Sequence, residues 1–239
     1  MKSFLYYIGD AIRYALSDRK GIVLISALMA VTSFVNKDPD VPRVVVMFNL
    51  TMILVMGYGS YVSWHTLRGS DEHPHVEGRV KKLLWEGFKK TVITVIYSFV
   101  MAVIGTLGKH FLSEGNFILV IVCVILFSVT YIIFIGGLLN RYLHRGEFTN
   151  AFDFPEIFKL VSLFDLATFL KVVAAVIISQ TFALSVIIGF SDGFSMTELV
   201  FSIASFFLAP FLYIANKRLV GLNVRDLLLK NEIIVERVE

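Results

Sequence analysis

The densest group of side chains able to do chemistry is Asp71-Glu72-His73-Pro74-His75-Val76-Glu77, with two imidazoles and three carboxylates in seven residues. Such a run could hold a cation or move a proton. A His-Pro-His pair does not close a metal shell by itself, so a metal would need ligands from elsewhere in the chain. As an acid–base group, Asp71, His73 and Glu77 are the candidates for a lipid enzyme working at a membrane surface. The competing reading is a solvated loop, and the rest of the sequence favours it. The chain has no H-E-x-x-H, no G-x-S-x-G elbow, no Walker A loop and no G-x-G-x-x-G. His65 and Asp71 are separated by five residues and so miss the H-x4-D spacing of acyltransferases. The single Cys123 lies inside a long apolar run, where a thiol packs as a small hydrophobe. The sequence therefore predicts no enzyme, no cofactor and no metal. His65, His110 and His144 stand near the ends of apolar runs and are expected to pack at an interface.

The elements that must position these residues follow from composition. Of 239 residues, 56% are hydrophobic and 17% charged, against about 25% charge in a soluble domain. The charge is sparse and clumped, which with the high apolar content excludes a disordered chain and an ordinary soluble enzyme, and the single Cys excludes a disulfide scaffold. Crossing a bilayer takes roughly 20 apolar residues. Runs free of Asp, Glu, Lys and Arg occupy 21–35, 44–64, 91–108, 116–139, 172–190 and 199–215. The fold expected is an all-α integral membrane protein with six transmembrane helices.

Of the 22 Lys and Arg, 19 fall in the N-terminal segment, the 65–90 and 140–171 loops and the C-terminal tail, leaving Lys37, Arg43 and Lys109 opposite. The positive-inside rule then places both termini in the cytoplasm, in a multi-pass protein of the cytoplasmic membrane. Most Trp and Tyr, among them Trp64, Trp85, Tyr58, Tyr61 and Tyr213, fall toward that same side. The outer connections are too short for an ectodomain. The basic residues come in ones and twos beside lipid, a topology signal and not a nucleic-acid site. Phe4, Ile8, Ala11, Ile12 and Ala15 recur at helical spacing and predict an amphipathic N-terminal helix, not a signal peptide.

One unit recurs three times: amphipathic segment, span, short outer turn, span. The units are 1–69, 70–146 and 147–221, making 1–221 one membrane domain followed by a tail at 222–239. Each unit closes on basic residues and glycine: Arg68-Gly69, Arg145-Gly146 and, more loosely, Arg218 with Gly221. The units cross twice each and so are parallel repeats. In the second amphipathic segment Val76, Val80, Leu83, Leu84 and Phe88 share one face, while Arg79, Lys81, Lys82 and Glu86 lie off it. This predicts inner-leaflet contact through Val76, Val80, Leu84 and Phe88, with Lys81 and Lys82 at the headgroups. The plainer reading is that the segment only turns the chain back into the membrane. The third segment, 153–166, carries Pro155 in its first turn.

Polar residues at depth are few. Asn49 and Gln180 could line a path, or hydrogen-bond between helices, which is the commoner use. Small residues at Gly57, Gly59, Gly105, Gly108, Gly136 and Gly137 are expected to let helices approach closely.

Several local patterns resemble the domain of unknown function 4013 family of archaeal membrane proteins. They are Gly57-Tyr58 at a span end, the Arg68-Gly69 exit, and Leu84-Trp85-Glu86-Gly87-Phe88-Lys89-Lys90 leading to Ile96-Tyr97. Arg141-Tyr142-Leu143, Gly146 and Ala151-Phe152-Asp153-Phe154-Pro155-Glu156-Ile157 continue the resemblance, which covers 1–221. His73-Pro74-His75 departs from the Pro-aromatic-Asp run such proteins tend to carry. The resemblance implies a multi-span protein of an archaeal or bacterial cytoplasmic membrane and supplies no site residues. Three functions compete. The first is a non-enzymatic membrane module or scaffold contacting lipids and a membrane-protein partner or a second copy. The second is a carrier or permease for an apolar or amphiphilic solute, not ion-coupled. The third is the lipid enzyme above.

Overall fold

The computed structural model describes residues 4–35, 42–71, 73, 80–144, 146–164 and 196–231. Among them are seven α-helices, one short 3-10 helix and no strand. The helices are α1 (Phe4–Ser17), α2 (Arg19–Val35), α3 (Pro42–Leu67), α4 (Val80–Ser113), α5 (Phe117–Leu143), α6 (Phe154–Ser162) and α7 (Met196–Lys230), with the 3-10 turn Thr149–Phe152 before α6. The expected span 172–190 lies outside the described residues.

Among the described residues two helices are long and apolar enough to cross a membrane: α4, of 34 residues, and α5, of 27. A core helix of a soluble protein passes the same length test but is mostly buried. In α4 and α5 only 11% and 17% of the most apolar stretch is buried. Val95, Phe99, Val103 and Leu107 of α4 and Ile118, Ile121, Ile125 and Phe127 of α5 are exposed. Apolar surface on this scale is unfavourable in water, so the pair points to a membrane protein. The turn between them is closed by Asn116, whose side chain accepts the Leu119 N–H at 3.4 Å.

The chain divides into two compact units: Met1–Phe88 with Asp165–Glu239, and Lys89–Phe164. In the first, α1, α2, α3 and α7 pack around Ala11, Tyr14, Ala15, Ile25, Val55, Tyr58, Val62, Ile214 and Ala215. The stripe that α1 buries is Tyr7, Ala11, Tyr14 and Ala15, while Ile12 is exposed. The predicted apolar face is thus turned, because the phenol rings of Tyr7 and Tyr14 pack inward together with the alanines. Helix α7 continues past residue 221 to Lys230, with Leu222, Val224, Leu227 and Leu228 buried. The segment expected to leave as a tail at 222 therefore begins as packed helix. In the second unit α6 lies on α5 through Ile157 and Leu160. Asp153 caps α6 by accepting the Glu156 N–H at 3.4 Å, and Pro155 sits in the first turn, where no N–H is needed.

From Val80 onward the amphipathic segment and the third span are one uninterrupted helix, α4. Val80 and Phe88 are exposed, as are Lys81 and Lys82, and Leu84 is half-buried. Leu83 and Gly87 are buried. A Cβ at Gly57 would collide with the Leu83 carbonyl, and one at Gly87 with the Ile53 carbonyl. The two backbones touch there, as the small residues led one to expect. Gly59 lies against Tyr213, and Gly136 within 2.8 Å of Ile157 and Val161 methyls for an added Cβ. Gly105 has nothing within 4 Å, so at that glycine the expected close approach is missing.

Candidate functional site

The polar side chains of the first unit gather on Arg218 of α7. Helix α3 ends at Leu67, and Gly69 reverses the chain at φ +77, a left-handed conformation that costs glycine little. The Gly69 N–H reaches the Thr66 carbonyl and the Ser70 N–H the His65 carbonyl, each at 3.0 Å. This turn delivers Ser70 and Asp71 to the guanidinium. Arg218 Nη1 donates to the Ser70 carbonyl at 2.8 Å and to Thr66 Oγ1 at 3.4 Å. Its Nη2 pairs with Asp71 and its Nε with Asp10 Oδ2 of α1 at 3.1 Å. The guanidinium carbon lies 4.6 Å from the centre of the Tyr14 ring. A planar fork of donors suits this geometry in a way an ammonium does not. The Arg218 side chain is 3% exposed, Asp10 32% and Asp71 84%.

Asp18 makes a second knot. It occupies the single-residue break between α1 and α2, is buried, and accepts the Gly21 N–H at 3.0 Å through Oδ1. A carboxylate at the start of α2 is favoured by the helix dipole and satisfies an orphan N–H. Its Oδ2 accepts the Tyr58 hydroxyl of α3. Tyr7 of α1 donates to Asp226 of α7. Burial pushes the Tyr14 phenol above its ordinary value, the Asp18 carboxylate pushes it further, and Arg218 pulls the other way.

The second unit carries its own cluster where α5 ends. Arg141 is fully buried, and Gly146 (φ +78) folds back to donate to the Arg141 carbonyl at 2.9 Å. The Gly146 carbonyl accepts from Arg141 Nε and from Lys89 Nζ, both at 3.1 Å. Asn140 donates to the Asn150 carbonyl at 2.9 Å and to Glu156 at 3.3 Å. His144 stands 3.0 Å from the Asn140 carbonyl and 3.5 Å from Glu156. The Tyr97 hydroxyl donates to the Ala151 carbonyl at 2.9 Å, with its ring stacked on Phe152.

Of the expected acid–base trio Asp71, His73 and Glu77, the first two are among the described residues, and each has its own partner there. Asp71 pairs with Arg218. His73 Nε2 lies 2.9 Å from Ser17 Oγ, and its ring centre 4.4 Å from that of Tyr14. Glu77 and Val76 lie outside the described residues, as does Gln180. Asn49 belongs to α3, but its side chain is also outside the described residues. Among the described residues no three His, Cys, Asp or Glu side chains are grouped as metal ligands. His65 packs at 5.5 Å on Trp64, and His110 pairs with Glu114 at 3.3 Å. His144, expected to pack at an interface, meets Glu156 of α6 at 3.5 Å.

Sequence reading missed Arg218, Asp10, Asp18, Arg141 and Lys90 as placed groups. A signal was present: two acids, Asp10 and Asp18, in an otherwise apolar and basic N-terminal segment need cationic or donor partners. No curated protein and no solved structure matches the chain. Residues 43–191, more than half of the chain, match one protein family, and they contain both the Arg68-Gly69 and the Arg145-Gly146 pairs. The chain belongs to that family, described as Protein of unknown function (DUF4013).

Proposed function

We propose that this chain is a non-enzymatic membrane module of six crossings with both termini cytoplasmic. The helices α4 and α5 offer an apolar surface to lipid and to a membrane-protein partner or a second copy. The observation that supports this reading most is the occupation of the buried Arg218. Its donors go to Asp10, Asp71, Thr66 and Ser70, so the polar cluster of the first unit fastens α1 and the α3 exit to α7. A reactive centre needs groups able to change partners during turnover. Such a saturated pairing holds helices in place. The exposed α4 and α5 surface then serves as the working face.

The test uses photocrosslinking side chains at Phe99 and Ile125 in native membranes. A module gives discrete protein adducts of reproducible mass, either a dimer of this chain or one other protein. Lipid adducts alone would contradict the scaffold role. Saturable, protein-dependent flux of an amphiphilic solute in vesicles, lowered by Asn49→Leu, would replace it with the carrier reading.

A further inference from the structure

We propose that the outer face of α1 docks on an anionic lipid leaflet, through Leu5, Ile12 and Leu16 with Arg13 and Arg19 beside them. Helix α1 has two apolar faces. One belongs to the core, where Tyr7, Ala11, Tyr14 and Ala15 are buried. The other is open: Leu5 is 78% exposed, Leu16 61% and Ile12 42%. At about 100° per residue these three fall within roughly 40° of one another around the helix, away from the buried stripe.

The charges of this stretch are sorted in the same way. Its two acids are engaged inside the unit, Asp10 with Arg218, and Asp18 with the Gly21 N–H and the Tyr58 hydroxyl. Its bases, Arg13, Arg19 and Lys20, are exposed. On the same helical spacing Arg13 and the exposed Tyr6 lie along one edge of the open stripe. Basic side chains and phenols belong at headgroup level, with aliphatic groups below them in the acyl boundary. An anionic leaflet attracts such a basic edge more than a zwitterionic one does.

The surroundings of α1 favour a leaflet over a protein. Asp18 alone separates it from α2, so it ends where the apolar run 21–35 begins, with Arg19 and Lys20 at the junction. Val23, in the second turn of α2, is 66% exposed, and apolar surface therefore continues past the break. Three aliphatic side chains also fall far short of the roughly 1,200 Å² or more of a stable protein interface. On its other side α1 is tied to α7 by Asp10 with Arg218 and Tyr7 with Asp226, so a seated α1 also fixes the height of α7. The docking rests on the membrane reading above and deepens it by naming the helix and the lipid class.

Full-length protein carrying Cys123→Ala receives single cysteines at Leu5, Leu16 or, as a reference in α4, Phe99. Each is labelled with a small fluorophore and reconstituted in phosphatidylcholine vesicles. Phosphatidylcholine or phosphatidylglycerol bearing a nitroxide on its acyl chain is then included at equal mole fraction. Quenching is expected at Leu5 and Leu16, and more by the phosphatidylglycerol probe, since each basic residue near an anionic surface favours contact by about fivefold. Arg13→Gln combined with Arg19→Gln is expected to remove most of that preference and leave the fold intact, because both side chains are exposed. Quenching at Phe99 but not at Leu5 and Leu16 would overturn the docking and leave the module reading standing. Absence of quenching at all three positions would overturn both. Shielding of Leu5 and Leu16 from lipid nitroxides and from aqueous iodide alike would replace the leaflet with a protein cover. Equal quenching by the two lipids, or a preference undiminished in the double variant, would also overturn the proposal.

Discussion

Arg218 and Asp10 lie 208 residues apart and meet at 3.1 Å, joining the last helix to the first. The pair defines the first unit, because it fixes α1 on α7 through a guanidinium almost closed to water. Truncating one partner of a buried pair typically costs about 3–5 kcal/mol, much of it from the charge left behind. Arg218→Ala is therefore expected to lower thermal stability by ~3 kcal/mol in lipid discs. Arg218→Lys should recover little of it, since one ammonium cannot serve four acceptors. Asp10→Asn should cost more than Asp71→Asn, because Asp71 is exposed and exposed pairs contribute about 0–1 kcal/mol. Equal costs for the two asparagine variants would contradict this ranking.

Backbone contact between α3 and the start of α4 makes a second expectation. Gly57→Ala and Gly87→Ala place a Cβ on a carbonyl of the facing helix. Neither helix can yield without moving its backbone, so both variants should lose stability. Gly105→Ala meets open space and should be neutral or stabilising, by up to about 1 kcal/mol. Thermal unfolding of the three variants checks this. A stable Gly87→Ala would show that the helices do not touch.

The patterns that were legible are local ones. The runs at 91–108 and 116–139 lie in α4 and α5, and Pro155 and Asp153 start α6 as their chemistry requires. The continuity of α4 was not legible, because Lys89-Lys90 reads as a boundary between a surface segment and a span. Nothing there breaks a helix, however, and Lys90 is drawn into the protein. Nor was the Arg218 cluster legible, since its partners come from residues 10, 66, 70 and 71. Periodicity speaks of which face is apolar and says nothing about which distant acid meets which base. For α1 even the face was turned, since Tyr7 and Tyr14 count as polar in a pattern yet bury their rings.

Alkaline pH should loosen the first unit. The Tyr14 phenol is held above its ordinary value in the folded protein, while in the unfolded chain it ionises near 10. Between those values the folded state holds the proton and the unfolded state does not, so stability falls as pH rises beyond about 10. Tyr14→Phe should flatten that fall in a pH series of melting curves. An unchanged slope would place the titration elsewhere.

Topology can be read on a background free of native thiols, since Cys123 is the single cysteine. In Cys123→Ala, a cysteine introduced at Lys37 should react with an impermeant reagent from outside intact cells, and one at His75 only after lysis. The reverse pattern would invert the 19-to-3 basic asymmetry as a guide.

The direct measurement is the environment of the α4 and α5 surface in reconstituted vesicles. Nitroxide labels at Val95, Phe99 and Ile125, on Cys123→Ala, would be probed by collision with oxygen and with a water-soluble nickel complex. A lipid-facing helix pair gives high oxygen and low nickel accessibility at all three positions. High nickel accessibility, or exclusion of both reagents, would contradict a membrane module built on these helices.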